Sequence, residues 1–373
     1  MSEVSLRKTY KYKLKPTPAQ ERQLEEVVWQ CRRLYNTALE QRITLWKQRG
    51  VSTSQYAQEA ELKDLRAGMP EYAAIHSHVL QEVLARLEKT YQAFFRRVQR
   101  SEKPGFPRFQ GRNRFHSFTY KEFGNGARLD NGFLVLAKIG RIAVRWSRPL
   151  EGTAKTVTLS READGWYVCV SCADVAAEPL PLTEQETGID LGLESFATLA
   201  NGTMIHNPRC YRRAERRLKA AQRRVARRKK GSSRRRKAVK LLAKAHQQVR
   251  RQRQDFHHKA ARHLVRQFDA IYHEELQVAN MLKNHHLAKS IQDAGWSQFL
   301  RILTFKAACA GKRVVAVHPA YTSQTCSGCG VIVQKGLSVR WHSCPDCGTN
   351  LHRDHNAAKN IERLGQSLRG EVA

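Results

Sequence analysis

The chain has 373 residues, 41% of them hydrophobic, which is enough for two or three domains with a sizeable core and excludes wholesale disorder. Lys and Arg total 66 against 33 Asp and Glu, a formal net charge of +33. A compact fold with that excess repels itself unless a polyanion neutralises it, so nucleic acid is the expected partner; a membrane is not, since the sequence holds no run of 18 apolar residues and opens without a signal-peptide core.

In chain order, the alternating run Lys8-Thr-Tyr-Lys-Tyr-Lys-Leu14 reads as a strand. Thr17, Pro18 and Gln20 form a helix start with a capping box, and Gly50 stops the helix. Further helices are expected over residues 54–66 and 77–100, giving a small helical domain. Prolines and glycines break the pattern over residues 103–120, where aromatics alternate with arginines, a composition suited to stacking bases and neutralising phosphates. Arg108, Phe109 and Arg112 are candidate nucleic-acid contacts there. Strands at 133–138, 141–146, 154–162 and 166–173, with a turn at Asp164-Gly165, suggest a β-barrel or sandwich that the first strand joins. An acidic, proline-bearing linker near 174–186 closes this half.

From Gly188 strands alternate with helices, an α/β pattern. Residues 211–262 contain 22 Lys and Arg against Glu215 and Asp255, on two helices joined near Lys230–Ser233. Such density opposes helix formation at i,i+4 spacing unless phosphates lie alongside, so Arg212, Arg213, Arg216, Arg223 and Arg227 are also candidate contacts.

Nine cysteines, an odd number, fit a reducing, cytoplasmic compartment better than a disulfide framework. Cys326, Cys329, Cys344 and Cys347 form two C-x2-C knuckles 14 residues apart, the spacing of a structural four-thiolate Zn²⁺ site. Cys169 and Cys172 share the spacing, but on a strand they face opposite sides and read as packing residues.

Three acidic positions stand out in so basic a chain. Asp190 ends an apolar strand in Thr187-Gly-Ile-Asp-Leu-Gly192, as in the first strand of RNase H-like nucleases. Either Glu274 or Glu275, on opposite faces of a second strand end, can join it. Asp354 opens a terminal helix containing Ala357 and Ala358. Three converging carboxylates repel unless cations intervene, and two Mg²⁺ (or Mn²⁺) ions per site would both resolve the repulsion and support phosphodiester hydrolysis.

These motifs, with Asp293-Ala-Gly-Trp296, Arg353-Asp-His-Asn-Ala-Ala358, Tyr35-Asn36 and Gly105-Phe-Pro-Arg-Phe109, resemble in order and over nearly the whole chain the TnpB (OrfB) proteins of bacterial insertion sequences, relatives of type V CRISPR nucleases. The resemblance implies a multidomain α+β protein. Its parts are a β-barrel wedge domain (1–15 and 104–182), a helical recognition insertion (16–103) and an RNase H-like, or RuvC-like, α/β nuclease domain (183–373). The last carries basic helices (208–268) and a zinc ribbon (320–350). It implies Asp190, Glu274 and Asp354 as a catalytic, Mg²⁺-binding triad, Glu274 being preferred because the family's acid directly precedes x-Leu. It further implies a guide RNA from the transposon end, a short target-adjacent motif, double-stranded DNA as target, and residence in the bacterial cytoplasm at the nucleoid. His352 departs from the family's frequent Asp at that position. The alternatives are a guided DNA-binding regulator without cleavage and an accessory transposition protein.

Overall fold

The computed structural model describes residues 5–112, 114–336 and 339–370. Residues 1–4 of the expected wedge segment, Asn113 of the aromatic–basic stretch, residues 337–338 of the expected ribbon and residues 371–373 of the expected nuclease segment lie outside them. The chain divides after Ala176 into two compact units.

In the first unit, β1 (Ser5–Lys15) alternates as its sequence demands: Tyr10, Tyr12 and Leu14 are buried, while Lys11 and Lys13 pair outward with Glu162 and Asp164. α1 (Pro18–Arg49) begins with the reciprocal Thr17–Gln20 capping box and ends at Gly50 in the left-handed conformation. The single helix expected over 54–66 is instead α2 (Gln55–Ala60) and α3 (Leu62–Gly68), followed by α4 (Pro70–Ala73). Gln58 is drawn onto α1, accepting from Arg42 Nε at 2.8 Å and donating to the Ala38 carbonyl at 3.0 Å, while Pro70 starts a new turn. α5 (Ser77–Gln99) completes the helical part.

The remaining elements are β2 (Ser117–Tyr120), β3 (Ala127–Asp130), β4 (Phe133–Leu136), β5 (Gly140–Arg145), β6 (Thr153–Glu162) and β7 (Gly165–Ala176). With β1 they form a seven-stranded antiparallel sheet, ordered β2-β6-β7-β1-β5-β4-β3. Alternate residues of its strands and the apolar stripes of α1 and α5 (Leu24, Leu39, Leu80, Leu87) share one core, in which Cys172 is buried and Cys169 is not.

The second unit opens with a segment that is pinned down. Glu178 and Leu180 donate to the carbonyls of Cys309 and Ala310, and Asp269 accepts from the amides of Thr183 and Glu184. Its sheet contains β8 (Glu186–Asp190), β9 (Ser195–Leu199) and β10 (Met204–His206). Next come helices α6 (Cys210–Ala226) and α7 (Ser233–Gln267), then β11 (Ala270–Glu274). α8 (Val278–Met281), α9 (His285–Ala294) and α10 (Trp296–Cys309) precede β12 (Arg313–Val317). The hairpin strands β13 (Trp341–Ser343) and β14 (Asn350–His352) lead into α11 (Arg353–Gly370).

Strand order β10-β9-β8-β11-β12 is an antiparallel meander continued by two parallel strands, the RNase H-like arrangement. β9 is buried throughout and β8 and β11 over three of their five residues each, as expected of strands covered on both faces. α11 lies directly on β8 because Gly188 has no side chain: a Cβ there would stand 2.1 Å from the Ala358 carbonyl oxygen and 2.5 Å from the Glu362 nitrogen. Among the described residues no helix is long and apolar enough to cross a membrane.

Candidate active site and nucleic-acid interface

Asp190 and Glu274 end neighbouring parallel strands. The ladder pairs Tyr272 with Gly188 and His273 with Ile189, and one further step along it sets Glu274 level with Asp190 on the same face. Glu275, one residue on, is exposed. Asp354 comes from the first turn of α11, which the close contact at Gly188 draws onto the sheet. Its Oδ2 lies 3.7 Å from the point where a Gly192 Cβ would stand, beside the end of β8, and the residue is 8% exposed. Sequence positions 190, 274 and 354 thus converge at one end of the sheet.

The electrostatics follow from that convergence. Burial pushes the Asp190 carboxyl well above the ordinary carboxylate range, the carboxylates of Glu274 and Asp354 push the same way, and Arg353 opposes them. Glu274 is also raised by burial, against the Thr322 hydroxyl and Arg353. Thr322, 3% exposed, donates its hydroxyl proton to the Glu274 carboxylate. His352, the departure from the family pattern, sits over the start of α11: its Nδ1 accepts from the Asp354 backbone N–H at 3.4 Å and lies 3.9 Å from Asp354 Oδ2.

Thr322 is held in turn by α11. Asn360 Nδ2 donates to the Thr322 carbonyl at 2.8 Å and the Thr325 carbonyl at 2.7 Å, and Asn356 Nδ2 donates to the latter at 2.7 Å. Asn356 Oδ1 accepts from the Ser327 amide at 2.9 Å. Both asparagines are buried and their amides are used on this loop, so one helix supplies Asp354 and fixes the segment that orients Glu274.

The same loop carries Cys326. The sulfurs of Cys326, Cys329, Cys344 and Cys347 lie within 4.8 Å of one another, a cluster able to hold a metal ion. Gly328 permits this: a Cβ there would lie 2.4 Å from Thr349 Oγ1 and 3.2 Å from Cys347 Sγ. Burial works against ionisation of Cys326, but donors led by the Cys329 backbone N–H outweigh it and bring the thiol down to about 5.

The candidate contacts fall into two groups. Arg212, Arg213, Arg216, Arg223 and Arg227 are all exposed on or at the end of α6. Arg223 and Arg227, with Arg224 and Arg228, surround a concavity of about 570 Å³, whereas Arg212 is engaged with Ser290 and Glu215. α6 has no side-chain cap of its own; the buried Asp293 carboxylate of α9 supplies one, accepting from the Tyr211 and Arg212 amides at 2.7 and 3.1 Å. Arg235 closes the other end, donating to the Val225 and Arg228 carbonyls at 2.9 and 3.0 Å. Arg108, Phe109 and Arg112 lie on a loop of the first unit; Phe109 is 52% exposed and Arg112 packs toward Trp29.

Sequence reasoning missed Thr322, Asn356, Asn360 and Trp29 as site-forming residues, and it gave Asp293 no structural task. The alternation of acid, turn and helix around positions 190 and 354 was a local signal; these residues act on partners elsewhere in the chain.

An RNase H-like sheet with three acids at one strand end defines a class of nucleic-acid enzymes. Comparison with known proteins narrows it. A family model described as a probable transposase (OrfB_IS605) matches residues 167–285, a Cas12f1-like TNB domain model matches 296–361, and a helix-turn-helix domain model matches 1–51. A Streptomyces pristinaespiralis protein named "Putative RNA-guided DNA endonuclease" is 36% identical over 369 residues, covering 96% of this chain and 90% of the relative. An Escherichia coli K12 protein, "Putative RNA-guided DNA endonuclease InsQ", is 29% identical over 310 residues, covering 78% and 75%. The solved Cas12f1-sgRNA-target DNA complex aligns with a TM-score of 0.58 at 15% identity, over 93% of this chain and 83% of that one, and so shares the fold. The chain belongs to the TnpB (OrfB) family.

Proposed function

We propose that this protein is an RNA-guided DNA endonuclease encoded by a transposable element. Its guide RNA, derived from the transposon end, would pair with one strand of double-stranded DNA beside a short target-adjacent motif. Family membership supports that reading, and the relatives' names carry the same activity. The observation that carries catalysis is the convergence of Asp190, Glu274 and Asp354, with Asp190 raised first by burial and further by its two acidic neighbours.

An all-carboxylate donor set that repels itself fits hard divalent cations, so Asp190, Glu274 and Asp354 would hold Mg²⁺ or Mn²⁺. When bound, a pair of such ions supplies Lewis-acid stabilisation of the charge that develops on a phosphodiester undergoing hydrolysis. The protein's own part is positional. Thr322 fixes one Glu274 oxygen, the parallel register aligns Glu274 with Asp190, and α11 delivers Asp354. The four cysteines would hold one structural Zn²⁺, with no position left open for substrate. The arginines of α6 and the loop arginines would neutralise nucleic-acid phosphates. Cytoplasmic residence at the nucleoid is what that substrate and an odd number of cysteines, nine, favour.

The test is purification with the co-purifying RNA, followed by matched duplex DNA and Mg²⁺. The parent protein is expected to cut. Asp190→Ala should lower the rate by at least about 10³-fold and leave RNA affinity unchanged, because phosphate contacts elsewhere dominate it. A parent complex that binds the matched duplex without cutting it would make the protein a guided binder instead.

A further inference from the structure

The first unit has an aromatic–basic pocket that the catalytic reading does not use. Trp29, on α1, keeps 38% of its surface exposed. The Arg32 guanidinium carbon lies 4.2 Å from its ring centroid and that of Arg112 lies 5.7 Å away. With Arg22, Arg161 and the buried Phe115 these residues line a cavity of about 510 Å³, the size of a small-ligand cleft and too small for a duplex.

The pocket is built by specific bonds. Arg112 arrives on the loop after α5, which is fastened to α1 at Gln110: its amide donates to Asn36 Oδ1 at 2.7 Å, and its carbonyl accepts from Asn36 Nδ2 at 3.1 Å and Arg32 Nη1 at 3.3 Å. Two acids share the lining, but Glu25 is paired with Arg161 at 2.9 Å and Glu26 accepts from Gln30 at 2.7 Å. Arg22, Arg32 and Arg112 leave the site with a positive excess.

An indole ring over which guanidinium groups already lie matches one ligand chemistry closely, a planar base joined to a phosphate, the base taking a place in that stack and the arginines turning to the phosphate. We infer that this pocket binds one unpaired nucleotide of a nucleic-acid strand, its base stacked on Trp29 and its phosphate contacted by Arg22 and Arg112. The inference rests on the proposal that the protein binds nucleic acid, and it adds a place where a strand is held by a base without being read, since stacking accepts any base. RNA and DNA share the chemistry, so the experiment must separate them.

The full chain is mixed with 12-nucleotide single strands carrying one 5-iodouracil, one series RNA and the other DNA. After irradiation, crosslinked peptides are sequenced by mass spectrometry. An adduct on Trp29 is expected in at least one series, and that series identifies the sugar. Trp29→Leu should then weaken binding of that probe by about 5- to 100-fold, Trp29→Phe should restore most of it, and both should melt like the parent. Arg112→Gln should lower the slope of log affinity against log salt by about 1. Strands that bind and crosslink only elsewhere, with Trp29→Leu binding as the parent does, would overturn the pocket and leave the broader reading standing. Failure of both strands to bind at all would overturn both.

Discussion

At the scale of single residues, Thr322 shows how a neutral side chain sets the state of an acid. Burial raises Glu274 overall and the Thr322 hydroxyl opposes it, a hydrogen bond to a charged group contributing about 1.5–3 kcal/mol. Thr322→Val keeps the shape and removes the donor. It should slow cleavage by roughly tenfold or more and raise the Mg²⁺ concentration needed for half-maximal cutting, with RNA binding unchanged; an unaltered Mg²⁺ titration would remove Thr322 from the centre. His257 makes a second residue-scale prediction. It is fully buried, its Nε2 donates to the Ala294 carbonyl at 2.8 Å, its Nδ1 has no partner among the described residues, and burial brings its pKa down to about 4. The unfolded chain therefore takes up this proton near pH 6.5 and the folded chain only near 4, so the contribution is complete above 6.5 and is lost as pH falls through that window, by about 3 kcal/mol. Melting followed between pH 7 and 4 should show this component, and His257→Gln should lack it. Neither residue was legible in the sequence, since Thr322 matters through Glu274 and His257 through Ala294, partners that no local pattern names.

Elements are where the sequence speaks most clearly. The capping box at Thr17–Gln20 and the stop at Gly50 are local chemistry, and the helix begins and ends there. The 54–66 segment is different: its periodicity suits one helix, but the attachment of Gln58 to α1 is a tertiary matter and the segment divides. The basic pair α6 and α7 shows the same limit. Their arginines were evident by count, yet the anchor of α6 is Asp293, more than 80 residues downstream of the amides it caps. Asp293→Ala should cost about 1–2 kcal/mol locally. Hydrogen exchange is expected to quicken over residues 210–216 and RNA affinity to fall, while β8 and β11 stay protected. Unchanged exchange across 210–216 would show that packing against α7 alone holds the helix.

For the whole molecule, α11 is the member that joins chemistry to architecture. It supplies Asp354, lies on β8 at Gly188, and through Asn356 and Asn360 grips the loop bearing Thr322 and Cys326. Metal in the cysteine cluster and alignment of the acids should therefore be coupled. Removal of zinc with a zinc-selective chelator, followed by fresh Mg²⁺, is expected to loosen residues 320–350 in hydrogen exchange and to abolish most cleavage. Full cutting after confirmed zinc loss would uncouple the two. The cysteine spacing and each acidic motif could be read from the sequence because each is local; the grip could not, because it depends on asparagines turned toward a loop about 30 residues earlier. The position of α11 also orders events during synthesis. Asp354 follows Asp293, the cap of α6, by 61 residues, roughly 3–12 s of translation, and the arginines of α6 and α7 precede both. The acidic site is therefore expected to be completed last, some seconds after the helix proposed to hold RNA has gained its cap.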